Sequence, residues 1–163
     1  MKTFLVLGAG TAGTMMARKM ASKLDSREWR VVLVDKDKNH YYQPGFLFLP
    51  FGMYGEKDVV KPKSIYVPEK VEFILSDIEL IEPDASRVKL TNGQIISYDE
   101  LVIATGCDIH PGETEGMLGD GWRNNVFDCY TYEGASALGK FLSTWKGGRM
   151  VVNVVENPIK CPV

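Results

Sequence analysis

Three glycines and one carboxylate near the N-terminus have the types and spacing of a phosphate cradle. Gly8, Gly10 and Gly13 form G-x-G-x-x-G directly after the apolar run TFLVL, and Asp35 closes a second apolar run, WRVVLVD (29–35). Gly8 permits a tight turn off a strand. Gly10 lets main chain approach a pyrophosphate with no Cβ in the way. Gly13 lets the following helix pack closely on a sheet. The start of that helix offers free N–H groups and a positive dipole end to phosphate oxygens. Asp35, about 20 residues on, suits a ribose: its carboxylate can accept both hydroxyls, and a 2′-phosphate would be repelled, which disfavours NADP. This pattern predicts a dinucleotide site but does not by itself separate FAD from NAD.

A second set of residues could do sulfur chemistry. The chain has three cysteines, Cys107, Cys129 and Cys161. Cys161 sits in ENPIKCPV (156–163), where the charge of Lys160 favours its thiolate. Cys129, in NNVFDCYTYEG, precedes a helical pattern running through Trp145, and a thiol at a helix start is expected to have a lowered pKa. Thr131 is the expected N-cap, with Leu138, Phe141, Leu142 and Trp145 as the apolar face. Cys107 reads as a small packing residue and His110, before Pro111, as a solvated one.

The elements that must position these groups follow from periodicity. Two buried parallel strands, one in TFLVLGAG (3–10) ending at Gly8 and one at 29–35, flank a helix with Met16, Met20 and Leu24 on one face. Residues 36–58 hold Pro44, Pro50 and three glycines, so they are expected to be loop with at most short helical turns; their aromatic residues argue against disorder. Then 71–83, 86–93 and 94–106 read as successive strands with a hairpin turn at Thr91–Gln94, a β-meander that returns through LVIATG to the parallel sheet. A last β-branched run, 150–155, reads as a strand. FLFLPF (46–51) reads as packing against the rest of the protein, with a quinone or membrane contact as the alternative.

Composition bounds the rest. With 163 residues, 45% apolar and 25% charged, the chain can bury one ordinary core. A net charge of −2 gives no electrostatic case for nucleic acid. No apolar stretch approaches a membrane span, the N-terminal run is too short for a secretory signal, and no metal-ligand cluster is evident. Three cysteines do not make an even disulfide framework, which fits a cytoplasmic setting.

Taken as a set, G-x-G-x-x-G, the acid ending the second strand, the β-meander and YDELVIATG resemble the flavoproteins with two dinucleotide-binding domains. HYYQPG (40–45) and P-x-K-C-P (158–162) are similar to segments of sulfide:quinone oxidoreductases and flavocytochrome sulfide dehydrogenases. The resemblance implies FAD held by Gly8, Gly10, Thr11, Ala12, Gly13, Asp35, Lys36, Gln43, Pro44, Ile78, Thr105 and Gly106. It implies Cys161 as a redox-active cysteine facing the flavin, and Cys129 as a second one, either in sulfur chemistry or in a thioether to the flavin. NADH-using relatives would carry a second glycine fingerprint after the strand at 150–155. No glycine lies between Glu156 and Val163.

The expected architecture is therefore α/β. Residues 1–106 form a Rossmann-like parallel sheet with a β-meander crossover that binds FAD. Residues 107–163 form a linker, a helix and the first strand of an incomplete second Rossmann-like domain. The resemblance implies the N-terminal portion of an enzyme that oxidises sulfide and passes electrons through FAD to a quinone, inactive without the C-terminal half of the same chain. It further implies a cytoplasmic or membrane-peripheral location, and it allows a homo-oligomer. The competing readings are an NADH-dependent quinone or disulfide reductase, and a dinucleotide-binding module with no activity by itself.

Overall fold

In the computed structural model, which describes residues 1–154, Lys2–Leu7 forms strand β1 and Thr11–Lys23 forms helix α1. Trp29–Asp35 forms β2, parallel to β1 with Lys2 opposite Trp29 and Leu7 opposite Val34. Both strands are continuous apolar runs because both faces of their sheet are covered. Alternate residues divide between two cores. Phe4, Val6, Val31 and Leu33 pack with Ala17 of α1, while Leu5, Leu7, Val32 and Val34 pack with Val88, Leu90 and Ile96 on the opposite side.

The chain then makes a short strand β3 (Asn39–Tyr41), 3₁₀ turns at Gln43–Leu47 and Leu49–Phe51, the one-turn helix α2 (Glu56–Val59) and β4 (Val60–Pro62), which pairs antiparallel with β3. β5 (Val71–Leu75) returns to the parallel sheet beside β2. β6 (Ile78–Glu82), β7 (Arg87–Leu90) and β8 (Ile95–Ser97) form a three-stranded antiparallel meander, and β9 (Glu100–Ile103) comes back beside β1. The parallel sheet has the order β5-β2-β1-β9. The α/β, Rossmann-like class expected from sequence is the one observed.

Three expectations are corrected. The run 71–83 is two strands in two sheets, broken at Ser76-Asp77, so the meander links β5 to β9 rather than β2 to β9. The run 94–106 is likewise broken at Tyr98-Asp99. There Asp99 Oδ2 accepts the Thr3 N–H (2.7 Å) and the Asp99 N–H donates to the Thr3 carbonyl (3.0 Å), steering the chain from one sheet to the other. The strand expected at 150–155 is not formed over its described part. Met150–Val154 carry no strand, and Val151, Val152 and Val154 are exposed. β-branched propensity needs a neighbouring ladder before it becomes a strand.

By contact the chain divides into two units. The first holds Met1–Tyr41 and Val60–Asp108; the second, among the described residues, holds Tyr42–Val59 and 109–154. In the second, helix α3 (Tyr132–Thr144) starts at Thr131, whose hydroxyl caps it by accepting the Gly134 N–H (3.0 Å). Gly139 of α3 faces Pro50, and Phe127 packs on Phe141 with ring centroids 5.3 Å apart. The FLFLPF segment is mixed rather than fully packed: Phe46 and Pro50 are buried, whereas Leu47, Phe48 and Phe51 are exposed.

Candidate functional site

β1 lies between β2 and β9, so the chain leaves it toward one side and returns on the other. Such a switch point opens a crevice at the C-terminal ends of the strands, where ligands of doubly wound sheets bind. Gly8 ends β1 there, donating its N–H to the Val34 carbonyl (2.8 Å), and the Ala104 N–H donates to the Leu7 carbonyl (2.7 Å).

The three glycines do different things. Gly8 has φ +93°, and a Cβ there would overlap the Ala104 carbonyl. A Cβ on Gly13 would overlap the Gly8 carbonyl oxygen, so close packing of α1 on the turn requires this glycine. A Cβ on Gly10 meets nothing within 4 Å. The Gly10 carbonyl accepts the Thr14 N–H (3.0 Å) and hydroxyl (2.6 Å), but the space over its α-carbon is open, the cradle a pyrophosphate would fill. Helix α1 starts there with no side-chain cap and no acid in its first turn, and Thr11 and Ala12 are exposed. Its N-terminal donors fit an anion.

Asp35, at the end of β2, is turned toward this loop. Its Oδ2 accepts the Ala9 N–H (2.6 Å) and its Oδ1 the Asp37 N–H (2.8 Å). Lys63 Nζ lies 2.6 Å from Asp35 Oδ1 and also donates to the Asp37 carbonyl (2.8 Å). Burial alone would raise the Asp35 carboxyl; the Lys63 ammonium and the amides of Asp37 and Ala9 outweigh it and hold the group below the ordinary carboxylate range. The strand end is therefore electrically balanced rather than bare anion, which weakens the charge repulsion expected toward a 2′-phosphate.

Lys63 is the residue that sequence reasoning missed. A half-buried Asp35 calls for a cation, yet Lys36, Lys38, Lys57, Lys61 and Lys63 all follow it, and only the fold picks one. Lys36 itself is exposed. Thr105 and Gly106 follow β9 and are exposed, Gly106 with φ +78°. Ile78 opens β6, and its N–H donates to Asp77 Oδ1 (2.8 Å). These residues belong to the first unit, whereas Gln43 and Pro44 open a 3₁₀ turn in the second.

The cysteines fall differently from expectation. Cys129 lies two residues before Thr131, the N-cap of α3. Burial, reinforced by the neighbouring Asp128 carboxylate, pushes its thiol up rather than down. The Asp128 carboxylate is itself taken up in holding the turn, accepting the N–H groups of Tyr130 (3.0 Å) and Thr131 (2.7 Å). Cys107, expected to pack, is exposed. Cys161 and its turn lie outside the described residues. Among the described residues no helix is long and apolar enough to cross a membrane, and no cluster of acids, histidines and cysteines could hold a metal ion.

A parallel sheet with a glycine turn, an uncapped helix start and a terminal acid defines a dinucleotide-binding domain of the Rossmann class. The comparisons give the particular family: residues 2–152 match the pyridine nucleotide-disulphide oxidoreductases, and the chain belongs to that family. It is 24% identical over 158 residues to a mitochondrial sulfide:quinone oxidoreductase of Dictyostelium discoideum, covering 96% of this chain and 35% of that protein. It is 32% identical over 142 residues to a type II NADH:quinone oxidoreductase of Staphylococcus haemolyticus, covering 86% and 34%. Among solved structures, the sulfide:quinone oxidoreductase of Aquifex aeolicus superposes with a TM-score of 0.71 at 27% identity, over 88% of this chain and 32% of that one. The chain thus spans about a third of the length of the relatives it matches. The cofactor of this flavoprotein family is FAD, and the open ground over Gly10 fits its pyrophosphate.

Proposed function

We propose that this chain is part of an FAD-dependent oxidoreductase of the sulfide:quinone type. In this reading the pyrophosphate of FAD lies over Gly8, Gly10 and Gly13 against the N–H groups of Thr11 and Ala12. Asp35, with Lys36 beside it, meets the adenosine ribose. The main chain around Ile78 lies by the adenine. Thr105 and Gly106 lie along the flavin side. Bound FAD supplies a two-electron acceptor.

The observation that carries the sulfide assignment is the sequence ENPIKCPV. A nicotinamide enzyme needs glycines with bare main chain at this point of the sequence, and here a proline-bounded cysteine follows Lys160. Hydrosulfide attacks the sulfur of a disulfide or persulfide involving Cys161; a new S–S bond forms, the old one breaks, and a thiolate leaves. Cys129, with its raised pKa, is the poorer thiolate and serves better as the partner that is attacked or stays protonated. Over the cycle H₂S gives up two electrons and two protons to become sulfane sulfur, and a quinone takes them up as quinol. A quinone substrate places the intact enzyme at a membrane surface.

Replacing Cys161 by Ser in the intact holoprotein tests this. Sulfide-driven bleaching of the flavin is expected to slow by at least about a thousandfold, with FAD content unchanged. An unchanged rate removes Cys161 from the reaction. The second reading is an NADH:quinone oxidoreductase, favoured by the higher identity, 32%, to the Staphylococcus relative.

A further inference from the structure

Lys63 is the one lysine buried to this degree among the described residues, only 4% exposed. A buried ammonium is costly unless paired, and replacing such a pair by apolar groups often leaves stability unchanged, so stability alone does not require an ion pair here. What the pair does to its carboxylate is more specific. An ionised carboxylate offers about four acceptor positions, two on each oxygen, and no donor. At Asp35, Lys63 and the Asp37 N–H take both positions on Oδ1, and the Ala9 N–H takes one on Oδ2. One position is left, on the oxygen that faces the glycine turn.

We propose that Lys63 is a specificity-determining residue of the dinucleotide site, restricting Asp35 to a single hydroxyl of the adenosine ribose rather than the pair expected from sequence. This rests on the reading that Asp35 meets that ribose. The device is geometric. Lys63 enters from the chain just after β4, where its N–H donates to the Lys38 carbonyl (2.9 Å), so its backbone is fixed independently of any ligand. Its ammonium then fixes the carboxylate plane, with Oδ2 held by Ala9 of the phosphate turn itself. The same carboxylate that could take a ribose hydroxyl also shapes the loop that would take the pyrophosphate.

The test is equilibrium binding of FAD, 2′-deoxyadenosine-FAD and 3′-deoxyadenosine-FAD to the deflavinated intact protein. Removing the one contacted hydroxyl is expected to weaken binding by about tenfold, and removing the other by less than about threefold. Equal losses for the two analogues overturn the proposal. If neither analogue binds more weakly than FAD, the assignment of Asp35 to the ribose has failed, and the proposal with it. In Lys63→Met the freed position on Oδ1 can accept the second hydroxyl, so the two analogues should weaken to a similar extent. An asymmetry unchanged in Lys63→Met would show that Lys63 does not set it. The native comparison decides the single-hydroxyl claim without any variant. Should Lys63→Met not fold, Lys63→Arg keeps a cation on Oδ1 and is expected to keep the native asymmetry; loss of it there counts against the proposal.

Discussion

The two units of this chain use sequence in opposite ways. In the first, strand residues such as Leu5, Val32, Leu33 and Val34 have no exposed surface, and both faces of the sheet are covered. In the second, regular structure among the described residues is a 13-residue helix, one short helical turn and 3₁₀ turns, and Phe48, Phe51, Met53 and Tyr54 stand exposed. The first unit builds a site out of backbone geometry, and the second holds exposed aromatic side chains on little regular framework. A main-chain site must be rigid, so it comes with a complete core; reactive side chains can sit on turns.

The sharpest way to break this comparison is at Gly13. Gly13→Ala puts a Cβ into the Gly8 carbonyl, and the account expects a loss of about 3 kcal/mol or more, with FAD binding abolished, read by denaturant unfolding and flavin content. Next comes a pair of truncations, one per unit. Leu33→Ala should cost about 2–5 kcal/mol, whereas Phe51→Ala, 65% exposed, should stay within about 0.5 kcal/mol. Similar costs would contradict the division. Gly10→Ala separates site from fold: its backbone is ordinary and its Cβ has room, so stability should hold while FAD affinity falls by about tenfold. The smallest effect is with pH. The folded Asp35 pKa is depressed, so the pair's contribution is fully present above the unfolded value of about 3.9 and is lost as pH falls through the folded value. Titrating from neutral to that range should leave it untouched; Lys63→Met removes the cation that depresses Asp35, so stability should be lower at neutral pH and fall less steeply with acid below the unfolded value, as measured by unfolding at a series of pH values.

Legibility followed the same divide. Gly8, Gly10, Gly13 and Asp35 could be read because strand, turn, helix and distal acid each leave a local signature, and the structure assembles them in one unit. β1, α1 and β2 follow from the same agreement between period and turn chemistry. What could not be read was set by long-range partners. The breaks at Ser76-Asp77 and Tyr98-Asp99 are invisible because apolar residues continue on either side, and only pairing with different sheets separates β5 from β6 and β8 from β9. The run at Met150–Val154 has strand composition without a strand to join. Lys63 is one of many lysines until the chain returns it to Asp35. For Cys129 the sequence suggested an acidified thiol, but the helix begins two residues too late, and burial beside Asp128 decides the sign.

The proposed function requires the intact protein's flavin to take electrons from sulfide rather than from a nicotinamide. Anaerobic rapid mixing of the intact holoprotein with sulfide, and separately with NADH, tests it directly. The account predicts fast bleaching of the flavin by sulfide and none above background by NADH. Fast bleaching by NADH with no response to sulfide would contradict it.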